Sequence, residues 1–319
     1  MTDALRLDAP DRTAIRAVAD RIFSKRVDLT VTRVTEGVST YVYRIERGME
    51  TFYLRVLPEA GASFALESEA HRLLRECGVN VPAVVYVAQH DETLERSVMV
   101  TTAIAGSHIG HIPAHPQLRD IMLEAGRDLA RINQIPVAGF GWITRGQPTV
   151  RRLEAEHPTY RAFVAEYLDA ALATLRRLVL DADESAAIRA ILDRHDSWLD
   201  ANDAWLAHGD FDATHIYQEH GRYTGIIDFG EMRGGTRWYD LGHFRMHDGE
   251  TVSALLLPWL LEGYRAVTPL PDDYERRIGF ASLLIAIRAL ARLLIKNPHS
   301  GYRDHGLASL RREIALLHS

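Results

Sequence analysis

Hydrophobic positions change their spacing several times along the chain. Over residues 13–23, Ile15, Val18, Ala19 and Ile22 recur at helical intervals behind Asp11, a residue type that caps helix starts. From residue 29 the period drops to two. Residues 31–34, 42–45 and 52–57 read as three short strands joined by turns at 36–40 and 47–50, an antiparallel meander. Residues 63–77 return to helical spacing, with Leu66, Ala70, Leu73, Leu74 and Cys77 on the inward stripe and Gly78 at the stop position. Two more strands, 79–87 and 97–102, complete a five-stranded sheet with one helix inserted between its third and fourth strands.

Beyond residue 105 the pattern is helical, over 118–132, 160–180, 185–199, 252–264, 278–296 and 307–317. That shift divides the chain into residues 1–104 and 105–319. The exception is 206–241, where strand, turn and strand recur and the second strand runs over 223–227 to end at Asp228. A hairpin brings its two ends together, so Asp210, His215 and Asp228 are expected at one edge of a sheet. The fold class expected is α+β, a sheet-rich first lobe and a mostly helical second.

Composition narrows the function. The 319 residues are 47% hydrophobic and 25% charged, enough for a substantial core. A net charge of -6 without a basic patch argues against a nucleic-acid partner. The single cysteine, Cys77, excludes an intramolecular disulfide framework and a Cys-rich metal site, and its place on the helical stripe predicts a buried, inert thiol. Residues 1–12 carry no apolar run of the signal-peptide kind. The longest apolar stretches, such as 280–287, are short and bounded by charge, so a cytoplasmic protein without a membrane partner is expected.

Three segments concentrate candidate chemistry: HGDFDATHI at 208–216, IIDFGE at 226–231 and WYDL at 238–241. Together they resemble the catalytic region of the aminoglycoside phosphotransferase family, small-molecule kinases related in fold to protein kinases. In that family His-Gly-Asp is followed after four residues by Asn; here His215 stands in its place.

The resemblance implies a two-lobed kinase-like fold with ATP and Mg²⁺ as cofactors and the nucleotide in the cleft between lobes. The acceptor would be a small-molecule hydroxyl, an aminoglycoside or other antibiotic among the candidates. Asp210 would accept the hydroxyl proton, Asp228 and His215 would hold the metal, and Asp240 would anchor the loop from behind. In the first lobe, the turn with Gly37, Ser39 and Thr40 offers backbone N–H groups and hydroxyls to a phosphate. Arg55, a mid-strand cation between apolar neighbours, needs a partner or a ligand. The family places its phosphate-gripping cation there, and Glu69, ahead of Glu67, is the expected helix partner. Residues 102–106, with Thr102 and Ile104, would form the hinge that meets the adenine.

His215 is discordant, because Mg²⁺ prefers oxygen to imidazole nitrogen. It would ligate the metal and admit Mn²⁺, hydrogen-bond a metal-bound water or Asp210, or mark a site that has lost activity. Two alternatives follow from other classes. One is a non-catalytic nucleotide-binding module. The other is a metal-dependent hydrolase built from His208, Asp210, His215 and Asp228, with His243 and His247 as a further pair. Asp212, Glu231, Asp248, Glu250 and Trp238 are candidates for holding a cationic acceptor.

Overall fold

The structure, a computed structural model, describes residues 6–24, 28–35, 40–111, 116–143, 152–297 and 300–318. Gly37 and Ser39 lie outside these, while Thr40 is described and buried just before β2. The chain forms two compact units. Described residues of the first come from the chain up to Ala105, from 152–153 and from Gly225–Gly230; the remainder form the second.

In the first unit, α1 (Arg12–Phe23) is capped by Asp11, whose carboxylate accepts the Ala14 N–H at 2.8 Å. The strands β1 (Leu29–Val34), β2 (Tyr41–Arg47) and β3 (Glu50–Val56) form the meander. After α2 (Ala65–Glu76) come β4 (Val84–Asp91) and β5 (Arg96–Thr102). The sheet order is β1-β2-β3-β5-β4, and neighbouring strands are antiparallel. β4 begins later than the hydrophobic run suggests, because Pro82 interrupts it. Period-two alternation sends Phe52, Leu54 and Val56 to one face, where they pack with Ile15, Val18 and Phe23 of α1. Arg55, between two of them, therefore points to the other face. Met99, its register partner on β5, forms a separate buried cluster with Leu57 and Phe64.

The second unit is built on the helices α3 (Leu118–Ile132), α4 (Tyr160–Ala165), α5 (Leu168–Leu178), α6 (Ala182–Arg194), α7 (Tyr239–His247), α8 (Leu257–Arg265), α9 (Tyr274–Lys296) and α10 (Tyr302–His318). It also holds a small five-stranded sheet with Ala204–Ala207 and Arg233–Gly235 paired near its centre, which the hydrophobic pattern did not announce. These strands are two to four residues long, too short for alternation to register. The hairpin Ile216–Glu219 to Arg222–Ile226 does form, turning at His220 and Gly221 with φ of 51° and 76°, as a primed turn requires.

α9 corrects one expectation. Its 23 residues are long and apolar enough to cross a bilayer, yet 72% of its most apolar window is buried inside the protein, the behaviour of a core helix.

Candidate active site

The loop carrying Asp210 is fixed from below by one buried carboxylate. Asp240, fully buried on α7, accepts the His208 and Gly209 backbone N–H groups, each at 2.9 Å, and the Asn133 side-chain N–H at 3.0 Å. Asn133, just past α3, also donates to the Leu206 carbonyl at 3.0 Å and meets the Tyr264 hydroxyl at 3.3 Å. Only glycine fits at 209: its φ is +90°, and a Cβ there would lie 1.8 Å from the Glu231 carbonyl oxygen. His208 is completely buried, and its Nδ1 accepts the Asp210 N–H at 3.3 Å. His-Gly-Asp is thus a rigid corner with one half-exposed carboxylate at its tip.

That carboxylate has a partner the sequence reading did not assign. His243 Nε2 lies 3.3 Å from Asp210 Oδ1, and the opposite ring nitrogen, Nδ1, meets the Phe211 carbonyl at 3.1 Å. Both imidazole nitrogens face oxygen atoms, one of the carboxylate and one of the loop backbone. Burial opposes ionisation of Asp210, but the hydrogen bond and charge of His243, with His215 and His208 nearby, hold it well below the usual carboxylate range. The signal available in sequence was spacing. Asp240 and His243 are three apart on one helix, so a residue that anchors the loop places the next on the same face. His247, the other member of the suggested metal pair, turns instead to Glu250 at 2.6 Å and to the Tyr302 hydroxyl at 3.1 Å.

His215 is drawn to Asp212. Its Nδ1 lies 3.4 Å from Asp212 Oδ1, the same oxygen that accepts the Thr214 N–H at 2.7 Å and hydroxyl at 2.5 Å. Burial raises the Asp212 pKa, and the bonds from His215 and Thr214 more than reverse this.

Asp228 belongs to the first unit, with Arg55, rather than to the unit of Asp210 and His215. It is exposed, and its φ of 63° puts it in the left-handed region that aspartate tolerates better than most residues. The sharp turn is therefore made at Asp228 itself and not at Gly230, whose N–H reaches back to Asp228 Oδ1 at 3.4 Å. Phe229 is buried, with its ring against His71 of α2 at 5.3 Å. Burial lowers the His71 pKa, outweighing Glu67 and the bond from Nδ1 to the Pro82 carbonyl at 2.9 Å, which raise it.

Arg55 pairs with Glu67, which corrects the expectation of Glu69. Their side chains are 11% and 6% exposed, and the guanidinium stacks over Phe64 at 5.2 Å. Burial works against its charge, but Glu67 and then Asp228 overcome this and keep it cationic. Glu69 turns outward to Arg72, at 2.6 Å. The two flanks of α2 explain the difference. Leu66, Ala70 and Leu74 form the central buried row; Glu67 and His71 lie on one flank, Glu69, Leu73 and Cys77 on the other. The protein buries the polar flank, because Arg55 and a carbonyl satisfy it. Cys77 is consequently exposed, against the expectation of a buried thiol.

At the expected hinge, Thr102 closes β5, its hydroxyl accepting the Ala83 N–H at 2.9 Å; Ile104 follows, half-buried, just outside the strand. Of the acids proposed to hold an acceptor, Asp248 accepts the Leu256 and Leu257 N–H groups at 2.8 and 3.1 Å, and Glu250 pairs with His247. Trp238 lines a different groove, with Arg277. Glu231 alone of this set lines the cavity of about 260 Å³ that opens beside Asp210.

Known proteins resemble the chain in sequence pattern and in fold. The sequence model described as the phosphotransferase enzyme family matches residues 30–280. No curated protein matches the chain by sequence. Among solved structures, aminoglycoside phosphotransferase APH(4)-Ia superposes with a TM-score of 0.65 at 18% identity, over 96% of this chain and 98% of its own. A thermostable mutant of that enzyme, in ternary complex with AMP-PNP and hygromycin B, gives 0.65 at 18% identity over 94% and 97%. Macrolide 2'-phosphotransferase MphH from Brachybacterium faecium gives 0.57 at 14% identity over 92% and 97%. These structures share the two-part kinase-like fold, and the family match spans both the Arg55 strand and the Asp210 loop: the chain belongs to the phosphotransferase enzyme family.

Proposed function

We propose that the protein transfers the γ-phosphoryl group of ATP to a hydroxyl of a small molecule, and that it works in the cytoplasm, where ATP is at hand. The observation that carries this is Asp210: a carboxylate held ionised by His243, on a loop locked by Asp240, at the wall of a ligand-sized cavity. Phosphoryl transfer asks the protein mainly for positioning and charge stabilisation. Asp210 orients the acceptor hydroxyl and accepts its proton as the bond to phosphorus forms; its depressed pKa makes it an aligning acceptor rather than a strong base. Arg55, fixed by Glu67, engages phosphate oxygens, and Thr102 and Ile104 flank the adenine.

Mg²⁺ suits this site through Asp228, an exposed carboxylate with hard oxygen donors. His215 fits it less well, since it offers nitrogen and is already directed at Asp212. When bound, the ion would neutralise phosphate charge. The test is ADP release from Mg²⁺-ATP across a panel of hydroxyl compounds, with nucleotide affinity followed by calorimetry. Acceptor-dependent release together with loss of Mg²⁺-ATP affinity in Asp228→Ala supports the reading; nucleotide binding with no turnover on any acceptor contradicts it. Inactivation of a hydroxylated antibiotic lies within this chemistry. A drug-susceptibility panel in a sensitive host, with Asp210→Ala as control, tests that role; identical profiles would remove it.

A further inference from the structure

The cavity beside Asp210 carries more positive charge than its own acids neutralise. Arg233 is buried in its wall, sandwiched at 4.0 Å from the Trp142 ring centroid and 4.8 Å from that of Tyr239, and reaches Glu231 at 3.5 Å. Asp210 is engaged by His243. Arg288 and Arg292 remain, one helical turn apart on α9, and both line the cavity. Among the described residues no carboxylate pairs with either, and Arg288 Nη1, though fully shielded from solvent, meets no hydrogen-bond acceptor. The Arg288 guanidinium lies 5.1 Å from the Phe163 ring centroid and 4.8 Å from that of Tyr167. Stacking occupies the faces of a guanidinium and leaves its N–H edges for a planar oxyanion.

Resting on the reading of Asp210 as the residue that meets the acceptor hydroxyl, we propose that the acceptor is an anion. It carries a carboxylate or phosphoryl group held by Arg288 and Arg292, a flat apolar portion against Phe163 and Tyr167, and a hydroxyl presented to Asp210. The cavity, at about 260 Å³, falls just below the usual range of ligand sites, which starts at roughly 300 Å³, and so suits no more than one substituted ring. A polycationic acceptor would meet two unneutralised guanidinium groups and find both acids already engaged.

The test is binding to the nucleotide-free protein of three probes alike except for charge: 4-(hydroxymethyl)benzoate, 4-(hydroxymethyl)phenylphosphonate and 4-(hydroxymethyl)benzylamine. Both anions are expected to bind at least about tenfold more tightly than the ammonium compound, the strength of a charge-assisted hydrogen bond. The tighter of the two assigns the group as carboxylate or phosphoryl. Arg292→Gln, at an exposed position, and Arg288→Gln, with folding checked by circular dichroism, are each expected to erase most of that preference. Equal or tighter binding of the amine, no saturable binding of either anion, or a preference that survives both substitutions overturns the proposal. Because binding alone is read, the outcome stands apart from whether ATP is turned over.

Discussion

Two guanidinium groups, one in each unit, sit against aromatic rings and differ in what else they meet. Arg55 lies over Phe64 and is neutralised by Glu67. Arg288 lies against Phe163 and Tyr167 with no carboxylate partner among the described residues. The first is a finished structural pair whose cation is held in one place; the second keeps its charge available. A buried ion pair does little for net stability but is costly to break, because the survivor is left charged and dry. A cation stacked on rings without a carboxylate leaves no such survivor when removed. The comparison therefore separates a cation already paired within the protein from one that has no carboxylate partner among the described residues.

The largest effect should come from breaking the finished pair. Glu67→Ala strands Arg55 and is expected to cost about 3–5 kcal/mol of stability in chemical denaturation, along with nucleotide affinity. Glu69, the partner that sequence favoured, provides the control. Glu69→Ala should change stability by less than about 0.5 kcal/mol, since its contact with Arg72 is a surface pair.

Between these lies the loop anchor. Asn133→Ala removes one donor from Asp240 and should cost about 1–3 kcal/mol, read in the same denaturation experiment. On the other side of the comparison, Arg288→Met should cost about 1 kcal/mol or less, the worth of its ring contacts. A loss as large as that of Glu67→Ala would mean that Arg288 is a structural pair after all.

The smallest effect concerns acid. The Asp212 pKa is depressed in the folded protein, so its contribution is present above the ordinary carboxylate pKa of about 3.9 and is lost as pH falls through the lower folded value. Asp212→Asn should therefore flatten the fall in stability below about pH 4, in urea titrations run at successive pH values.

The sheet and the long helices were legible because burial repeats with the period of each element: Phe52, Leu54 and Val56 announce a strand, and residues 118–132 a helix with the bounds the structure shows. The face of α2 was not. Hydropathy prefers the flank with Leu73 and Cys77, whereas the protein buries Glu67 and His71, whose partners lie elsewhere in the chain. Asp210 and Asp240 were legible through the motif that carries them, but His243 was read only as one of two imidazoles on a helix. Arg288 and Arg292 were hidden for the opposite reason. They fall in the long, apolar α9, where charge looks like an end to a hydrophobic run rather than the lining of a cavity.

Asp210 is the residue on which the account turns. Asp210→Asn keeps the shape of the loop and removes the acceptor of the hydroxyl proton. Measured beside wild type, its ADP release with a competent acceptor should fall by at least about 100-fold, while nucleotide affinity stays within about twofold. Turnover equal to wild type would contradict the assignment of Asp210 and the reading built on it.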